Sequence, residues 1–336
     1  MTKQEYKYAG MFTTALRLVV GWTYFSAFWR RLIIADKLDP EAVGYIGEKF
    51  NHFLPNALGI KPIIEYLVSN PDMLWWAMAI FTIVEAVVGL FIMFGLFTRL
   101  MSVGVFGLAF GILLGSGWLG TTCLDEWQIG VLGVATGFTL FFTGGGKYSL
   151  DNYLEQKGVT FTNKKWFALV GSGELPFKEK MISKVVLIGS LLILGLTLFT
   201  NQVFHGGVWG DLHNLSVKPH VTITEAQLSN KELSFKVFRD EGADVYGSFL
   251  IGITLKDEKG NIIFEQGQKE LSTLSAEQIE NDYVAKVKTG VHSLILPLGA
   301  RAKLIFKEDM FTVLKGKYTL ELIDISGAVW KATIER

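Results

Sequence analysis

Cys123 is the only cysteine in the chain, and it stands in the stretch GWLGTTCLDEWQIG (residues 117–130) between two long apolar runs. Thr122 has the residue type of a helix N-cap, and Asp125, three positions on, completes a Ser/Thr-x-x-acid capping box. That spacing puts Cys123 at the first helical position. Unpaired backbone N–H groups and the positive end of the helix dipole meet there, and both favour a thiolate over a thiol. The same N–H groups favour a bound anion. One turn of chain could therefore activate a sulfur nucleophile and hold an oxyanion beside it. The competing reading is a small apolar residue at a helix start, with Asp125 and Glu126 as ordinary first-turn acids. Spacing alone leaves both open.

A lone cysteine excludes an internal disulfide, a CxxC redox pair and any cysteine-based zinc or iron–sulfur site. His52 has no second histidine at ligand spacing, so no metal site is expected, and the chain carries no haem or flavin motif. Redox chemistry here would need an external co-substrate to take the electrons. The 32 basic and 32 acidic residues cancel. With no basic tract, nucleic acid is excluded as a partner.

Three further groups of residues stand out. Arg17 and Glu85 lie inside apolar runs, where an arginine costs about 2.5–3.5 kcal/mol on insertion scales, so each needs a partner or a polar cavity. Counted inward from the interfaces, the two sit within roughly one long side chain of the same depth. A buried Arg17–Glu85 pair is the expectation; it would fix helix register, tune a quinone or relay a proton. Arg30 and Arg31 close the first apolar run, and guanidinium forks match oxyanions. Trp22, Phe25 and Trp29 recur at helical spacing, which suits helix packing or interfacial anchoring as well as a cofactor groove. Trp118 and Trp127 flank the cysteine loop and join Trp22 and Trp29 as candidates for lining a quinone. Finally, HGGVWGDLHN (residues 205–214) pairs His205 with Gly206 and Gly207, which permit close backbone approach or positive φ. It is either a hinge or a contribution to the site.

The elements that must position these residues are membrane helices. Half the residues are hydrophobic, mean hydropathy is +0.34 and glycine numbers 36, too apolar an average for an ordinary soluble protein. Spans are expected at 12–34, 73–97, 100–119 and 127–145, forming a four-helix bundle, with a fifth at 185–204. The first run is too long for a signal peptide, carries Arg17 and lacks a cleavage site, so it should remain as an anchor. The long connection 35–72 should fold as a cap. The segment 146–184 carries seven lysines, which makes it cytoplasmic under the positive-inside rule. The N-terminus is then inside, and the cap, Cys123 and everything after the fifth span are outside, in the cytoplasmic (inner) membrane. Beyond the fifth span the pattern changes to short alternating runs (HVTITEAQL, ELSFKVF, SFLIGITL, YTLELIDI) with turn signals at DEKGN and DISG. These predict a β-sandwich of immunoglobulin-like size.

GWTYFSAFWRRLI, VEAVVGLFIMFGLFTRL and GGGKYSLD resemble the DoxX-like four-helix membrane family, and the double arginine with GTTCLDEW resembles its DoxD branch. HGGVWGDLHN, LPLGARAKL and GKYTLELIDISGAVW resemble DoxA, the partner subunit. The resemblance covers nearly the whole chain as a fused DoxD (1–150), a cytoplasmic connection (151–184), a fifth helix (185–204) and a DoxA-like domain (205–336). It implies a thiosulfate:quinone oxidoreductase, in which two thiosulfates couple to tetrathionate and a membrane quinone accepts the electrons. On that reading Cys123, Asp125 and His205 are catalytic, and Arg30, Arg31, Gly206 and Gly207 bind substrate. Partners are then thiosulfate, quinone and the lipid bilayer, and a homo-oligomer is compatible with the sequence. The alternative is a non-catalytic module that binds or transports a sulfur oxyanion, or an accessory subunit that docks another enzyme.

Overall fold

A computed structural model describes residues 3–120, 125–229, 231–244 and 247–336. The chain begins with helices α1 (Lys3–Phe12) and α2 (Thr14–Phe28), and α2 runs into a π-helix, Trp29–Ile34. Short helices α3 (Ile46–Asn51) and α4 (Lys61–Val68) follow. The long helices α5 (Pro71–Phe94), α6 (Thr98–Ser116) and α7 (Asp125–Thr143) come next. Helices α8 (Leu150–Gln156) and α9 (Lys165–Val170) lead to α10 (Glu179–His205). Residues 3–46, 75–117 and 125–213 make one compact unit; 47–74, 118–120 and the described part of 214–336 make a second.

In the helical unit, small residues let the backbones close. A Cβ on Gly89 of α5 would lie 2.4 Å from the Phe25 nitrogen of α2, and one on Gly137 of α7 would lie 2.7 Å from the Phe106 nitrogen of α6. Such contacts replace the hydrophobic driving force that lipid cannot supply. Tyr24, Val88, Ile92, Val105, Leu108 and Leu140 form the apolar centre. Among the described residues, α5, α6 and α10 are long and apolar enough to cross a membrane. The expected first span is divided instead between the 15-residue α2 and the π-helix. The expected fourth span is α7, whose first turn is polar.

Among its described residues the second unit holds ten strands, all paired antiparallel. One sheet has the order β1 (His220–Leu228), β2 (Glu232–Glu241), β8 (Arg301–Lys307), β5 (Ile279–Asn281). The other runs β10 (Val329–Glu335), β9 (Lys317–Asp324), β3 (Ser248–Asp257), β7 (Leu294–Leu296), β6 (Lys288–Thr289), with β4 (Ile262–Gln266) also paired to β3. Leu233, Phe235 and Val237 alternate along β2 into a core shared with Leu250, Leu255, Leu320 and Leu322 of the other sheet. Phe264 of β4 packs on Phe306 of β8 with ring centroids 5.5 Å apart, tying the sheets together. DEKGN is the β3–β4 turn, where Asp257 Oδ1 accepts the N–H groups of Lys259 and Asn261.

The cap residues 47–74 belong to this β unit. Asn51, fully buried, donates from Nδ2 to the Gly299 carbonyl at 2.7 Å and accepts from the Ala285 N–H. Asn56 donates to the Asp240 carbonyl. Glu65 of α4 accepts from the Tyr283 hydroxyl at 2.6 Å and from Arg301, whose guanidinium lies 4.3 Å over the Tyr283 ring.

Candidate functional site

The described residues that flank the Cys123 loop in sequence belong to both units. At the end of α6, in the helical unit, the Gly117 carbonyl accepts a hydrogen bond from His205 Nε2 at 2.9 Å. A carbonyl cannot donate, so Nε2 carries the proton and Nδ1 presents a lone pair. Nδ1 is buried without a hydrogen-bond partner among the described residues. The Trp127 ring of α7 packs edge-on against His205, centroids 6.4 Å apart, and its Nε1 donates to Thr200 Oγ1 at 3.0 Å. The last two turns of α10 thus seat against the ends of the two helices that bracket the cysteine loop.

In the β unit, Trp118 is fully buried and donates from Nε1 to the Phe53 carbonyl. Gly120 is clamped: its N–H donates to Ser216 Oγ at 3.0 Å, and its carbonyl accepts from Asn214 Nδ2 at 2.8 Å and from Ser216 Oγ at 2.5 Å. Thr122, Cys123 and the side chain of Asp125 lie outside the described residues, so the N-cap and thiolate expectations rest on the sequence.

After His205 the chain makes a closed loop. The His213 N–H donates back to the His205 carbonyl at 3.0 Å. Gly206 at φ 71° and Gly207 at φ 80° open it, and a Cβ at Gly206 would fall 1.8 Å from the Asp211 carbonyl oxygen. Both positions therefore require glycine. Inside the loop, three consecutive N–H groups, those of Val208, Trp209 and Gly210, converge on Gln202 Oε1 at 3.0, 2.8 and 3.1 Å.

The intramembrane charges pair differently from the expectation. Glu85, buried on α5, accepts from Arg31 on the π-helix, not from Arg17. The Arg31 guanidinium also lies 5.9 Å over the Phe81 ring. Arg17 turns the other way and donates to the carbonyls of Gly145 and Tyr148, both at 2.7 Å. Asp151 supplies the opposite charge. Its carboxylate accepts from the Phe97 and Thr98 N–H groups, Thr98 Oγ1 and Ser172 Oγ, so the stretch GGGKYSLD is a receptor for Arg17 and a cap for α6. Arg17 and Glu85 also differ in depth: the Arg17 guanidinium packs at Gly95, just past the C-terminal end of α5 and ten residues, about 15 Å, along from Glu85. Arg30 is exposed, with one long contact to Ser26 Oγ at 3.4 Å. Trp22 and Trp29 are exposed around Phe25, each ring centroid 6.2 Å from it. Trp118 is buried in the β unit.

A family model described as TQO small subunit DoxD matches residues 12–188, more than half of the chain. The chain belongs to the DoxD family. A second model, TQO small subunit DoxA, matches residues 204–333, so both subunits' sequences occupy one polypeptide. Its apolar helices and its DoxD membership make it a membrane protein. The boundary between the DoxD and DoxA matches is not the boundary between the structural units. Residues 47–74 and 118–120 of the DoxD match pack with DoxA strands, and His205 and the following loop of the DoxA match pack with DoxD helices. The Gly120 clamp and the His205–Gly117 bond are both DoxA-to-DoxD contacts. His205, Gly206 and Gly207 are candidates from the sequence, whereas Gln202, Asn214 and Ser216 stand out only through their hydrogen bonds. A paired glycine followed by a third at Gly210 signals a loop that exposes its amides; nothing local marks Gln202 as their partner.

Proposed function

We propose that this chain oxidises thiosulfate to tetrathionate and reduces a membrane quinone. The observation that carries the reading is the Gly120 clamp: the DoxA segment grips the DoxD chain three residues before Cys123, so both halves of the fusion converge on one place. In the first half-reaction, the Cys123 thiolate and the sulfane sulfur of thiosulfate form an S–S bond. The two electrons released pass to quinone, which takes up two protons and leaves as quinol, and the enzyme holds Cys–S–S–SO₃⁻. A second thiosulfate then attacks the sulfane sulfur of that adduct. Tetrathionate leaves and the thiolate is regenerated.

Arg30, exposed and lightly engaged, suits an oxyanion, and His205 with its free Nδ1 suits proton transfer. Arg31 belongs instead with Glu85: a largely buried ion pair among apolar helices suits quinone binding and protonation. The topology we assign has the lysine-rich segment 146–184 and the N-terminus inside, five spans counting the divided first and α7, and the β unit outside as an immunoglobulin-like sandwich.

Cys123→Ser tests the chemistry. The variant should insert and fold normally, yet form tetrathionate from thiosulfate and a soluble quinone at under a hundredth of the wild-type rate, since splitting off this nucleophile removes the covalent route. Intact-protein mass spectrometry should find a thiosulfonate on the wild-type chain only. Wild-type turnover by Cys123→Ser would leave direct electron transfer between thiosulfate and quinone as the remaining mechanism.

A further inference from the structure

Three successive backbone amides aimed at one point make a concavity with positive potential, the arrangement by which protein backbones bind tetrahedral oxyanions. Val208, Trp209 and Gly210 form such a nest at the end of α10, and its occupant is an uncharged carboxamide oxygen, that of Gln202. The nest is built. His213 N–H to His205 carbonyl closes the loop, Gly207 N–H to Gly210 carbonyl sets the turn, and Asn201 Nδ2 holds the Gly206 carbonyl. It is also accessible, because Gly207 to Gly210 are exposed, Trp209 by 65%. Gln202 itself is a half-buried side chain on the last turns of α10 and can leave by rotation of its own torsions, with no backbone change.

We propose that the Val208–Gly210 amides are an oxyanion-binding site and that Gln202 is its displaceable plug. The ligand class is a tetrahedral sulfur oxyanion. Identifying it as thiosulfate rests on the function proposed above; the anion site itself does not. A sulfonate oxygen entering the nest exchanges three neutral hydrogen bonds for three charge-assisted ones, which are roughly twice as strong. That difference is what lets an anion outcompete the tethered amide. Asp211 is the acid of this loop, so binding relies on the amides and not on a surplus of basic side chains.

Two substitutions move the plug in opposite directions. Gln202→Ala removes it and should tighten sulfate binding by the full-length protein in detergent about tenfold, measured by titration calorimetry. Gln202→Glu fills the nest with a tethered carboxylate and should weaken sulfate about tenfold. Sulfate is the probe because it cannot be oxidised, so the result does not depend on turnover. A direct reading on the wild-type chain accompanies them: the ¹⁵N-labelled amides of Val208, Trp209 and Gly210 should shift together as sulfate is added. Equal affinities in the three proteins, or amide signals that stay still at saturation, would overturn the site. Should the variants change sulfate affinity while the KM for thiosulfate is unchanged, the nest stands and thiosulfate is not its ligand.

Discussion

Neither ring nitrogen of His52 has a hydrogen-bond partner among the described residues, and both are buried in the β unit. Burial pushes its pKa down from 6.5 to about 4; Asp244 opposes the shift, and Lys49 and Arg239 add to it. An unfolded chain takes up a proton at this residue below pH 6.5, while the folded chain does not until about pH 4. Stability of the β unit should therefore fall as pH drops through that window and level off beneath it, losing at most about 3 kcal/mol from this residue. Glu65 adds a second acid-labile contribution. Its hydrogen bond from Tyr283, with Arg301 nearby, holds its pKa below 4.5, so what it contributes is lost as pH falls from 4.5 through that lower folded value. His52→Phe should flatten the upper part of the profile, followed by near-ultraviolet circular dichroism during denaturant unfolding. An unchanged slope between pH 6.5 and 4 in the variant would show that His52 is not the sensor.

At the scale of elements, the decisive feature is the six-residue π-helix that ends α2. Its wider turn redirects the residues that follow α2, and π segments of this kind recur at functional sites. Here it delivers Arg31 to Glu85 and leaves Arg30 outside. Arg31→Leu strands a buried carboxylate and should cost about 3–5 kcal/mol, whereas Arg31→Leu/Glu85→Leu should regain most of that loss. Thermal unfolding in detergent measures the coupling, and quinone reduction measures the rest: recovered stability with activity still absent would place the pair in the mechanism. Arg17→Leu combined with Glu85→Leu should be additive, because Arg17 answers to the Gly145 and Tyr148 carbonyls. Non-additivity there would mean that Arg17 and Glu85 meet after all.

For the whole molecule, the mismatch between family segments and structural units has a consequence for how the fusion holds together. The cap 47–74 lies in the DoxD match, but Asn51, Asn56 and Glu65 take their partners from DoxA residues Gly299, Ala285, Asp240, Tyr283 and Arg301. A chain stopped after residue 204 leaves those groups unpaired. Protease added to spheroplasts should then cut within residues 47–74 of the truncated protein and spare them in the full chain, where only exposed loops of the β unit are reached. Protection of the cap in both proteins would show that it folds on the helices alone. Cleavage from inside-out vesicles only would reverse the assigned topology.

Much of the β unit was legible because its signals are local. HVTITEAQL is β1 from end to end, and DEKGN and DISG are the turns that close hairpins, since alternation and turn chemistry act over two to five residues. Short strands such as β5 and β6 carry too few residues to show a period, and only pairing with β8 and β7 makes them strands. The apolar helices and the glycines that let them touch were likewise written in composition. Partners were not. Counting residues put Arg17 and Glu85 within reach of each other, but the folded helices set Arg17 against Gly95 at the far end of α5, and a π-turn fourteen residues on supplied the arginine that Glu85 binds. The oxyanion nest is the extreme case: its donors are backbone N–H groups, identical in every residue but proline, and only the folded loop aims three of them at Gln202.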